Sequence, residues 1–90
     1  MAAAASAEME REIQQLEARL QWLRDCQADL MACTALECKE RKAAVKADSP
    51  SDVVRANQHI SVLHLQYVTA SKQRDQVRDR LAALKQQAQQ

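Results

Sequence analysis

Glycine is missing from this 90-residue chain altogether, and so is phenylalanine; proline, tryptophan and tyrosine occur once each. Without glycine the chain cannot build the phosphate-cradling loops of dinucleotide-binding or P-loop proteins, where backbone approaches a phosphate too closely for a side chain. Two large enzyme classes are thereby excluded, and strands and tight turns lose their usual punctuation. Charge of one sign is also lacking. Thirteen basic and 12 acidic residues leave a net charge of +1, with no basic footprint for nucleic acid. No apolar run approaches the ~18 residues of a membrane-spanning helix, and Met1 to Ser6 have neither the basic start nor the apolar core of a signal peptide. An intracellular protein of cytoplasm or nucleus is expected, without membrane insertion. The three cysteines, Cys26, Cys33 and Cys38, are an odd number and read as free thiols of a reducing compartment.

What the chain does have is heptad periodicity. Apolar positions run Met9, Ile13, Leu16, Leu20, Leu23, Gln27 and Leu30 in alternating steps of four and three, the seam of a coiled coil, with one polar interruption. A longer series follows: Val53, Ala56, Ile60, Leu63, Tyr67, Ala70, Arg74, Val77, Leu81, Leu84 and Ala88, broken only by Arg74. Between them Pro50 disfavours a helical Ser49 and itself suits a first helical position. Ser49 with Asp52 has the spacing of a capping box, and Ser51 is a second candidate cap. The expected architecture is all-α: a flexible Ala-rich tail over residues 1–8, helix over 9–47, a turn over 48–51 and helix over 52–88.

So short a connection makes the helices antiparallel. If the chain folds back about Asp48 and Ser49, facing residues have numbers summing to 97, and the two seams fall into step: Ile13 with Leu84, Leu16 with Leu81, Leu20 with Val77, Leu30 with Tyr67. Charge agrees, because the chain before Ser49 carries seven basic and nine acidic residues while the remainder carries six basic and three acidic.

Near the turn the match fails. Helix 1 there offers Thr34, Glu37 and Arg41 to the seam, whereas helix 2 is apolar on more than one face, with Ile60, Val62, Leu65 and Val68 expected to be its most exposed apolar members. Uncovered apolar surface of this width predicts a helical partner, another copy or a different subunit, that completes a bundle. Trp22, one place before Leu23, is a flank residue and a candidate anchor, because exposed tryptophan is enriched at binding hot spots. Gln27 and Arg74 read as register-setting polar seam residues, Arg74 reaching to solvent or to Asp25 or Asp75.

The same register sets Cys33 opposite His64 and Cys38 opposite His59, which invites a zinc site. Five residues along a helix turn a side chain by ~140° and advance it ~7.5 Å, so the four groups diverge and packing is the expected role. No paired carboxylates, nucleophile with a base, or cofactor loop accompanies them. No metal, cofactor, catalytic residue or small-molecule substrate is expected. The general architecture looks like that of short coiled-coil subunits of cytoskeletal, kinetochore, centrosomal or vesicle-tethering complexes. The alternative is a small helical-hairpin chaperone holding an unassembled client, similar in outline to tubulin cofactors and prefoldins.

Overall fold

The computed structural model describes the backbone of residues 2–89 and the side chains of residues 7–89. Two helices, α1 (Ala2–Lys46) and α2 (Pro50–Ala88), pack against each other as an all-α hairpin spanning 69 × 14 × 14 Å over its Cα atoms. Three boundaries differ from the sequence expectation. Residues 2–8 continue α1 rather than forming a flexible tail, in keeping with alanine's first rank in helix propensity, while Met1 lies outside the described residues. Helix α1 stops at Lys46, and α2 begins at Pro50 instead of residue 52, since a proline has its φ preset for the first helical turn and needs no N–H acceptor there. The turn is therefore 47–49, tighter than the four residues expected.

The turn works without glycine. Ser49 N–H bonds to the Ala44 carbonyl at 3.0 Å and Asp48 N–H to the Val45 carbonyl at 3.1 Å, the crossed pair of a Schellman ending. That geometry requires a left-handed residue, and Asp48 supplies it with φ 51°. Aspartate tolerates this region better than most residues that carry a Cβ. Ser49 is the residue that precedes α2, but its hydroxyl makes no bond to the helix backbone. It donates instead to Asp52 Oδ2 at 2.8 Å, a charge-assisted bond to an ionised carboxylate.

The predicted register is visible in contacts that cross the hairpin. Gln27 bonds Ser71 and His59 meets Glu37, each pair within one of the expected sum. Two exposed ion pairs, Glu12 with Arg80 at 3.1 Å and Glu17 with Lys85 at 3.2 Å, join the acidic start of α1 to the basic end of α2. They favour the antiparallel pairing but, being solvated, add little to stability.

Apolar packing is concentrated at the open end, away from the turn. Leu20, Leu23, Val77 and Leu81 form the buried cluster, Ile13 and Leu16 pack against it half-buried, and Leu84 is buried beyond it. Leu30 and Tyr67 of the seam are only half-buried. Closer to the turn the buried apolar positions are the alanines 44, 56 and 70, which remove little apolar area from water. The fully buried apolar side chains are thus leucine and valine at one end of the hairpin and alanine at the other.

Candidate interaction surface

Between the two halves lies a polar layer that the sequence reading did not assemble. Gln27, only 4% exposed, donates through Nε2 to Ser71 Oγ at 2.6 Å and accepts from Arg74 Nη1 at 2.9 Å through its Oε1. Arg74 was expected to reach solvent or an acid such as Asp25 or Asp75, and it is partly exposed and does approach Asp75. Its nearest approach to Asp75 is 3.9 Å, and its strongest contact is the neutral Gln27. The signal was present: the two polar interruptions of the seams fall in adjacent layers, close enough for a long side chain to bridge them.

From this layer to the turn the molecule turns its apolar residues outward. Met31, Leu36, Val45, Val54, Val62 and Leu65 are all more than half exposed, Leu65 at 66%, and Trp22 joins them at 58%. Ile60 and Val68 correct the expectation that they would be among the most exposed, for both are half-buried. Ile60 is a seam residue partly roofed by α1. The candidate partner residues do not share one face. Two shallow grooves run along the flanks of the seam. One is lined by Met31, Ala35, Cys38, Ile60, His64 and Tyr67. The other contains Trp22, Cys26, Cys33, Leu30, Gln66 and Ala70. Helical spacing puts Val68 beside the first groove and sets Val62 and Leu65 towards the outer side of α2.

Charge explains why this stretch differs from the remainder. From Ala56 to Ser71 α2 has no Asp, Glu, Lys or Arg; of the residues 26–41 that face it on α1, Cys26 to Leu36 include only Asp29, and charge returns at Glu37, Lys39, Glu40 and Arg41. This girdle was legible as a bare run of uncharged residues, which an eye following apolar periodicity passes over. At its turn side Glu37 occupies a seam position and meets His59 Nδ1 at 3.2 Å through Oε1. Its Oε2 is buried and has no donor among the described residues.

The cysteines and histidines separate as their angular spacing requires. Cys38 and His64 line one groove, Cys33 the other, and His59 engages Glu37. Among the described residues no group of three or more His, Cys, Asp or Glu side chains gathers to hold a metal ion, and no helix is long and apolar enough to cross a membrane. The arrangement offers apolar grooves with polar edges, suited to receiving side chains from another helix. No protein-family profile, curated protein or solved structure matches the chain.

Proposed function

We propose that this protein is a non-catalytic coiled-coil interaction subunit that joins other helical proteins in a multi-subunit intracellular complex, of the cytoskeletal, kinetochore, centrosomal or tethering type. One observation carries the reading: the half of the hairpin nearest the turn holds large apolar side chains in water, while the only apolar residues it buries fully are alanines and its larger seam residues, Leu30, Ile60, Leu63 and Tyr67, are left half-buried. Exposed apolar residues scattered singly are ordinary, but here four, Met31, Leu36, Val62 and Leu65, lie within the charge-poor stretches 26–36 and 56–71, with Trp22, Val45 and Val54 beyond their ends. Helices are the natural occupants, because both flanking grooves follow the helix axis and their residues recur at heptad spacing.

The test uses the full chain, tagged and purified from cells, followed by native mass measurement of what accompanies it. A helical subunit in fixed stoichiometry is expected, lost on Leu65→Asp or Val62→Asp and kept on Gln14→Asp, which places the same charge on an exposed site of the leucine-zipped half. Retention of every partner by the first two variants would remove this surface from the function. Clients that leave once they have folded, in place of a fixed stoichiometry, would favour the chaperone alternative.

A further inference from the structure

We infer that the Met31 side of the girdle is where a second copy of this chain docks, the two hairpins overlapping antiparallel by their turn halves only. The inference rests on the docking role proposed above and names the occupant of one of its two grooves. Its first support is the symmetry of the face. On α1, Met31 lies one heptad before Cys38 and Val45 one heptad after; on α2, Val54 and Val68 stand in the same relation to Ser61. Cys38 and Ser61 are at about the same level, both are exposed, and the groove holding Met31 and Cys38 is open. A two-fold axis lying across the rods at that level sets Met31 of one copy against Val45 of the other and Val68 against Val54. Small side chains, Cys38 and Ser61, remain at the axis where the copies approach most closely. Such a patch is complementary to itself, as an isologous interface must be.

The second support is where the uncharged stretch stops. With the axis at Cys38, the turn of one copy reaches the level of Ala28 and Ser71 on the other. Beyond Ser71 come Lys72, Arg74 and Asp75, so the overlap ends where charge resumes. A parallel arrangement, turns together, would instead lay Glu17, Arg24, Asp75, Arg78 and Lys85 against their own images and strip them of water. The only charge inside the antiparallel overlap on this face is Lys42, an exposed residue at its rim whose ammonium can stay in solvent. In the four-helix segment that results, every neighbouring pair of helices is antiparallel.

Area gives the third support. Twenty residues of overlap at 1.5 Å each, two helices wide, cover on the order of 600 Å² per copy, at the lower end of what a specific dimer buries. Self-association is therefore expected to be concentration-dependent. The dimer is long and thin, about 110 Å from end to end by helical rise, against 69 Å for one hairpin. It leaves Trp22, Leu36, Val62 and Leu65 free for other subunits.

The experiment is sedimentation equilibrium with small-angle scattering on the purified full chain over a hundredfold range of concentration. A rise from 10.1 kDa to twice that mass, with a maximum dimension near the longer figure, is expected. A short bis-maleimide should link copies through Cys38 in the Cys26→Ser/Cys33→Ser background and fail when Cys33 is the sole cysteine. Met31→Asp and Val54→Asp should each weaken the dimer tenfold or more with helicity retained by circular dichroism, while Leu36→Asp should not. A mass that stays at one chain throughout, or a dimer no longer than one hairpin without Cys38 linkage, would overturn the inference. If such a monomer still took up a heterologous helical subunit blocked by Leu65→Asp, the second copy alone would be wrong and the docking function would stand.

Discussion

Replacing the polar layer in stages gives the sharpest test of how the seam is held. Arg74→Leu takes away the donor to Gln27 Oε1, an atom of a residue 4% exposed, and a buried acceptor so orphaned costs about 1–3 kcal/mol. The incoming leucine, at a half-buried site, returns about 1 kcal/mol. Gln27→Leu behaves differently. Arg74 keeps a side chain 34% exposed and can turn to water and Asp75, so the lost bonds are largely offset by about 2 kcal/mol of leucine burial. The double replacement leaves neither partner orphaned and continues the apolar cluster past Leu23. Its destabilisation should fall below the sum of the two singles by about 1–2 kcal/mol, the size of coupling typical of groups in one network. Urea melts of all four proteins by circular dichroism, at concentrations low enough to avoid self-association, close the cycle; in thermal melts each kilocalorie corresponds to roughly 4–8 °C. Additivity within ~0.3 kcal/mol would mean that Gln27 and Arg74 do not act on each other in solution.

Three further outcomes are expected. Asp48→Gly removes the cost of a Cβ in the left-handed region and should stabilise the hairpin by about 0.5–1 kcal/mol, read as a higher urea midpoint; a lower one would contradict the turn geometry. Leu20→Asp buries an unpaired charge in the leucine cluster and should destabilise the isolated hairpin by on the order of 3–5 kcal/mol, whereas Leu65→Asp, on an exposed site, should shift it by less than ~0.5 kcal/mol. Equal effects would show that the two halves are not distinguished as described. Cysteines introduced at Leu16 and Leu81 in a background lacking the native three should link within one chain with helicity retained, and links found only between chains would refute the antiparallel register.

The heptad seams carried the architecture because each was long enough to be read independently, and Leu20 with Val77 or Leu16 with Leu81 could then be matched by arithmetic. The start of α1 was misjudged since alanines 2–5 have no apolar period, yet propensity alone extends a helix already nucleated by the residues after them. Hydrogen-bond partners were the least legible feature. Ser49 turned to the Asp52 side chain, and Gln27, Ser71 and Arg74 joined across the hairpin, choices made among several reachable groups that spacing does not rank. Of the α2 residues named for the candidate surface, Val62 and Leu65 are exposed in the structure. The division of that surface into two grooves needed the side chains of α1, above all Met31 and Leu36, whose exposure depends on how the seam rotates both helices.

The separation of leucine from the turn reverses the order of stability ordinarily expected along a hairpin. Closing the chain between Leu20 and Val77 costs only about 1.5 kcal/mol more in loop entropy than closing it beside the turn, since each doubling of loop length adds about 0.6 kcal/mol. Four buried aliphatic side chains offset several times that amount, while the alanines near the turn offset little. The leucine cluster is therefore expected to be the most stable part of the hairpin, and the residues beside the turn the least. Amide exchange should be slowest around Leu23 and Val77 and fastest on either side of Asp48, through openings that leave the leucine cluster intact. The half proposed to dock a partner is thus the half expected to open most readily, and a partner bound there would hold it closed.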